Sequence, residues 1–364
     1  MRSESQGETK MISERSRRAR VIAGVLILSI FSLLVFDQLL IQAEPTKADI
    51  INLYLTFQEH DKGIWTVVFS PDGNLVASSG IDPNVKIWRL SDGTPIQDLE
   101  HPYGSPALAF SPNGRHVATG SYDGFIRVWR VSDGQLLETS AVHDGTVWGL
   151  TFSPDGKTIA SGSVNGGIRL WNRSSGLVRS LAGHQNGDVW SLAFSPDGKT
   201  LASAGHDHLI KIWNISSGNL IHNIDGHSEA IVSVAYSPDG KLLASGSDDK
   251  TVKLWNTGDW SLIKTLSGES ECVYSVAFSP DGKRLISGSR DKKALGEILQ
   301  YRFGYAGRAN GVTVRLWDVE SGELLQSMSG HSDDVNSVAY SSDGSFIASA
   351  SEDAAVKIWT ISPN

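Results

Sequence analysis

The stretch Ile231-Val232-Ser233-Val234-Ala235-Tyr236-Ser237-Pro238-Asp239-Gly240 runs on through Lys241-Leu242-Leu243-Ala244-Ser245-Gly246-Ser247 to Asp248-Asp249-Lys250-Thr251-Val252-Lys253-Leu254-Trp255. Its first six residues read as a strand. Ser-Pro-Asp-Gly then reads as a turn, with proline fixing φ and glycine accepting a positive φ. Leu242 to Ser247 is a second strand and Asp248-Asp249-Lys250 a tight turn. From Thr251 to Trp255 polar and apolar residues alternate, which predicts a third strand. Beyond the next turn, Thr257-Gly258-Asp259, the run Leu262-Ile263-Lys264-Thr265-Leu266 predicts a fourth.

The same unit is written seven times. The turn serine recurs at 70, 111, 153, 195, 237, 279 and 341, always with glycine three residues on. Two turns vary, with Asn113 in place of aspartate and Ser342 in place of proline. A tryptophan follows in phase at 88, 129, 171, 213, 255, 317 and 359, which accounts for seven of the 11 tryptophans. Four short antiparallel strands cannot bury both faces of their sheet alone. Neighbouring copies must therefore stack, and stacking about an axis closes them into a propeller. On these residues the chain resembles the WD-repeat family across about 50–364. A histidine ten or eleven residues before the turn serine (His60, His101, His143, His184, His227 and His331) belongs to the same pattern, with Glu269 standing there in the sixth unit.

The predicted fold is therefore all-β: a seven-bladed β-propeller of four-stranded antiparallel blades over residues 52–364. The seventh unit reaches Trp359 without a fourth strand after it, and Asn52-Leu53-Tyr54-Leu55-Thr56-Phe57 has the pattern of the missing one. That N-terminal strand is expected to close the ring and leave no unpaired edge.

Residues 1–50 are a different object. A polar tail, 1–20, ends in Arg15, Arg17, Arg18 and Arg20, and Val21 to Phe36 follows without a charge. As a helix, 21–41 would span roughly 31 Å, enough for a hydrocarbon core. The expected organisation is a basic tail, a membrane-spanning helix at 21–41, a linker at 42–51, and the propeller. The arginines place the N-terminus in the cytoplasm and the propeller on the other side. A cleaved signal peptide ending at Ala43 is the rival reading, and it would leave an exported soluble ligand- or sugar-binding sensor.

Charge and cysteine content narrow the function. The net charge is −8, and residues 1–50 hold 7 basic and 6 acidic residues of 32 and 40, leaving 25 and 34 beyond them. An acidic propeller lacks the electrostatic footprint of a nucleic-acid binder. Cys272 is the single cysteine, which excludes an internal disulfide framework and a cysteine zinc cage. No phosphate loop or dinucleotide fingerprint is present. No metal or other cofactor is expected.

Each unit holds a histidine, a hydroxyl, an aspartate and a tryptophan, a set that mimics a hydrolase triad. A nucleophile is needed once, whereas these residues recur with the blade period. By resemblance to the family they form a structural hydrogen-bond chain: His60, Ser78, Asp82 and Trp88; His101, Thr119, Asp123 and Trp129; His227, Ser245, Asp249 and Trp255; His331, Ser349, Asp353 and Trp359. Asn165 in the third unit and the missing histidine of the sixth predict two less rigid blades.

Two places read as binding surface. Trp65, Trp148, Trp190 and Tyr274 share the register at the start of the first strand, which the resemblance places near the mouth of the central channel. Tyr122, His206 and Arg290, just before the turn aspartates, should flank the same face. An insertion at 293–312 carries Tyr301, Arg302, Phe303 and Tyr305, residue types enriched at interface hot spots. The expected function is a non-catalytic scaffold that binds protein or peptide partners on the narrower face.

Overall fold

The structure is a computed structural model that describes residues 50–184, 187–268, 271–289 and 312–362. The repeat folds as read: the described strands form seven four-stranded antiparallel sheets. In the fifth, Ile231–Tyr236, Leu242–Ser247, Val252–Asn256 and Leu262–Leu266 pair in chain order. The turn residues explain their own recurrence. Ser237 Oγ donates to Asp239 Oδ1 at 2.7 Å and accepts from the Leu242 N–H at 2.9 Å, while the Lys241 N–H reaches Asp239 Oδ1 at 3.0 Å. Gly240 sits at φ +72, and a Cβ there would lie 3.4 Å from Pro196 Cδ, so each turn abuts the proline of the blade before it.

The seventh sheet is closed by the strand that precedes blade one. Ile50–Phe57 pairs antiparallel with Val356–Ser362, from Ile50 opposite Ser362 to Phe57 opposite Val356. This strand begins at Ile50, inside the stretch read as linker 42–51. The reason is apolar: Ile51 is buried in a cluster with Ile347 and Trp359, which extends the pairing past Asn52.

The first strands of the seven blades, Ile64–Phe69, Ala107–Phe110, Val147–Phe152, Val189–Phe194, Ile231–Tyr236, Val273–Phe278 and Val335–Tyr340, each touch the next, and the last touches the first. Hydroxyls stitch this inner ring. Ser191, Ser233 and Ser275 accept from the N–H groups of Val234, Val276 and Val338 in the following blade at 3.0 to 3.1 Å. Ser337 accepts from Val67 at 3.2 Å across the closure. There the turn proline is replaced by Ser342, and a Cβ on Gly73 would lie 3.4 Å from its Oγ.

The core lies between blades rather than within them. Trp255 of blade five packs with Ala202, Ile210 and Ile212 of blade four, and Trp88 of blade one with Ala348 and Ile358 of blade seven. Trp88, Trp213 and Trp317 are buried to 1% exposure, which makes this tryptophan the wedge that fixes the angle between neighbouring sheets.

Among the described residues no helix is long and apolar enough to cross a membrane, and the segment 21–41 lies outside them. The insertion joins the second and third strands of blade six, Arg284–Ser289 and Val312–Asp318. Arg290, Tyr301, Arg302, Phe303 and Tyr305 also lie outside the described residues.

Candidate functional site

Inside the blades, the histidines meet their hydroxyls and carboxylates in a fixed proton order. In blade five, Trp255 Nε1 donates to Ser245 Oγ at 2.8 Å, and Ser245 Oγ lies 2.7 Å from His227 Nε2. The hydroxyl has one proton, which goes to Nε2. Nδ1 is then protonated and donates to Asp249 Oδ2 at 2.8 Å. Burial lowers the pKa of His227, with Asp249 opposing, and so favours the neutral ring this order requires. Blade seven repeats the chain through Trp359, Ser349, His331 and Asp353. In blade one His60 joins Asp82 at 2.8 Å and Ser78 at 2.7 Å, with Trp88 stacked on Phe57. Blade four, offset by one inserted residue, forms it through Trp213, Ser203, His184 and Asp207. Ser245, Ser349 and Ser203 have no exposed surface, so their hydroxyls cannot meet a substrate.

Blade two departs from the expected network. His101 reaches Thr119 at 3.1 Å, but Asp123 is turned to Arg127, with Nη1 to Oδ1 at 3.2 Å and Nη2 to Oδ2 at 2.7 Å. His101 Nδ1 is left buried without a partner among the described residues. Burial, reinforced by the Arg127 charge, lowers its pKa to about 4. A guanidinium fork occupies both carboxylate oxygens, whereas an ammonium is a point charge and leaves one open. Blade four shows the alternative: Lys211 Nζ takes Asp207 Oδ2 at 3.3 Å and leaves Oδ1 to His184 at 2.6 Å. The residue two before the tryptophan is lysine in the four blades with the histidine–aspartate bond (Lys86, Lys211, Lys253 and Lys357). It is arginine in the other three (Arg127, Arg169 and Arg315). That signal was present in the sequence. In blade three, Asn165 stands at φ +62 and its N–H points to Asp188 Oδ1 at 3.3 Å, leaving His143 bonded to Ser161. Blade six keeps the bond from Trp317 Nε1 to Ser287 Oγ at 2.9 Å.

At the end of the ring that carries the histidine loops, the start of every first strand contributes to one cavity of about 540 Å³. Trp65, Trp148, Trp190 and Tyr274 line it with their counterparts Pro106, Val232 and Asn336, one residue from each of the seven blades. Trp65 and Trp148 meet edge to face, with centroids 6.1 Å apart. Tyr122 packs edge-on against Trp148 at 5.9 Å, and His206 against Trp190 at 5.9 Å, which extends the aromatic surface outward onto the turns. Burial pushes the Tyr122 phenol up, opposed by the Trp65 indole N–H that faces it. Asp188 and Asp248 line the cavity, and no lysine or arginine among the described residues does. Pro106, Val232, Asn336 and Asp188 carry no aromatic signal, although the repeat register alone places the first three; Asp248 stands just before a turn aspartate, in the register of Tyr122 and His206.

Seven antiparallel blades, closed by the N-terminal strand around an aromatic-lined channel mouth, define a β-propeller interaction ring. Seven segments, residues 51–89, 93–130, 134–172, 175–214, 218–256, 260–295 and 322–360, match the WD domain, G-beta repeat family, and the chain belongs to that family. Over 56 residues, 15% of the chain, it is 39% identical to the periodic tryptophan protein 2 homolog of Schizosaccharomyces pombe. Over the same length it is 38% identical to periodic tryptophan protein 2 of Saccharomyces cerevisiae. The matched part spans 7% and 6% of those two proteins. WD-repeat propellers are protein-interaction rings.

Proposed function

We propose that this chain is a non-catalytic scaffold that grips a protein or peptide segment at the channel mouth, and that residues 21–41 hold it at a membrane with the propeller on the non-cytoplasmic side. One observation carries the first half: seven blades converge four aromatic side chains on a single cavity. An extended segment entering it buries apolar surface against Trp65, Trp148 and Trp190 while the polar rim sets its register. Asp188 and Asp248 favour a segment with a cationic side chain over an acidic one. The insertion 293–312, between two strands of blade six, adds a second contact to the same partner. The membrane half rests on the apolar run Val21 to Phe36 behind four arginines.

Two experiments test this reading. Peptides selected for binding to the full chain should lose at least about tenfold in affinity on the variant W65A/W148A/W190A, since each truncation removes a buried aromatic contact. Equal affinity would refute the mouth as the binding surface. Protease added to intact and to opened cells should digest the propeller only from outside the cytoplasm and leave residues before Glu44 attached. A mature chain starting at Glu44 would replace the anchor with the exported soluble reading, and a propeller protected inside intact cells would overturn the orientation.

A further inference from the structure

The opposite end of the ring carries the turns between first and second strands. Six of them hold an aspartate, at 72, 155, 197, 239, 281 and 343, and blade two alone holds Asn113. In three blades that aspartate neutralises the lysine two residues on, with Lys157, Lys199 and Lys241 Nζ at 3.9, 3.2 and 3.3 Å from the carboxylate. Blade two sets Asn113 beside Arg115, which is exposed and forms no ion pair among the described residues. Asn113 Oδ1 still accepts both turn bonds, from Ser111 Oγ at 2.8 Å and from the Arg115 N–H at 3.0 Å. The turn is kept, and only its negative charge is gone.

Beside this turn lies a cavity of about 540 Å³ lined by Asn113, Arg115, His116, Arg130 and Ser132, with no carboxylate in its wall. Arg130 engages Asp133 through Nη1 alone, at 2.7 Å. His116 Nδ1 is buried and meets no partner among the described residues. Arg173, whose charge also reaches His116, is tied to Glu138. Arg115, Arg130 and Arg173 face Asp133 and Glu138, so one positive charge is left over, that of Arg115.

The geometry points to an oxyanion site on blade two that binds a phosphate dianion. The Arg115 fork and the N–H groups that Arg130 does not spend on Asp133 match its oxygens, and the Asn113 amide and Ser132 hydroxyl supply neutral donors beside them. The cavity is larger than phosphate alone, so it also admits the phosphate of a phosphorylated serine side chain.

The test uses the full chain in detergent micelles, by calorimetric titration at fixed ionic strength and about pH 7.5, where phosphate is largely dianionic. The probes are inorganic phosphate and O-phosphoserine, with serine as the blank. Saturable binding of either probe is expected. Asn113→Asp should weaken it about tenfold by placing a carboxylate on the lip. That variant carries the residue found in the other six turns, so its folding is secure. Arg115→Ala, an exposed position, should weaken binding by a similar factor. Tighter binding of O-phosphoserine would assign the site to phosphorylated residues, and binding of inorganic phosphate alone to the free ion. No saturable binding of either probe, or unchanged affinity in Asn113→Asp, would overturn the proposal.

Discussion

Replacing Ser245 with alanine removes the one atom that joins Trp255 to His227. The indole N–H at 2.8 Å and the imidazole nitrogen at 2.7 Å both lose their partner, at a position with no exposed surface. Alanine is smaller than serine, so no steric term offsets the loss and water has no route in. A buried polar group left unpaired costs about 1–3 kcal/mol, so two cost about 2–6 kcal/mol. A ring of about 300 residues unfolds with roughly 0.6 kcal/mol/K of entropy, so the midpoint should fall by about 3–10 °C. Differential scanning calorimetry of the full chain reads this directly. Threonine fills the equivalent position in blade two as Thr119, where it accepts from Trp129 at 3.1 Å, so Ser245→Thr should recover most of the loss. A Ser245→Ala midpoint within about 1 °C of the parent would refute the claim that these networks hold the blades.

Other perturbations follow from the same geometry. Arg127→Lys should release one Asp123 oxygen to His101 and raise that imidazole by about one unit or more from about 4, measured by histidine-selective NMR; no change would mean the fork is not what diverts the carboxylate. His101 and His143 are both lowered to about 4 by burial, each aided by the charge of a nearby arginine, whereas the unfolded chain titrates near 6.5. The unfolded state therefore binds more protons between those values. Stability is full above about pH 6.5 and falls as the pH drops towards 4, by up to about 3 kcal/mol for each ring; His143→Asn should flatten the melting temperature against pH in that window. Hydrogen exchange should be faster in blades two, three and six, which lack the histidine–aspartate bond, than in blade five. Phe57→Ala, which removes the ring stacked on Trp88 at 4.8 Å, should cost about 3–5 kcal/mol in denaturant unfolding; a loss under about 1 kcal/mol would mean that the closing strand contributes little.

The blades were legible because each turn and strand is spelled out locally and repeated, down to the serine and aspartate that clip Ser237-Pro238-Asp239-Gly240. Asn52 to Phe57 could be placed as the closing strand because its alternation fills a vacancy in the seventh unit. The diversion of Asp123 was not legible from the residue types of the network, since His101, Thr119, Asp123 and Trp129 are all present. It arises from competition, in which an arginine four residues on takes both oxygens from a buried histidine. Only comparison across blades at the position two before the tryptophan exposes it. The channel mouth was half legible. Aromatic residues announce themselves, whereas Pro106, Val232 and Asn336 matter through where the first strands converge.

Closure by the N-terminal strand also sets an order of events during synthesis. Ile50 pairs with Ser362, so the first described strand waits for the last described one. Until then blade seven cannot complete its sheet, and Ile51 lacks Ile347 and Trp359 while Phe57 lacks Ala348 and Ile358. Blades one to six can assemble from contacts close in sequence, but the final join carries the longest loop in the molecule and the largest entropic barrier. A chain broken off before Val356 would present an open edge to any other strand it met, which makes the strand Val356–Ser362 the guard against association of nascent copies.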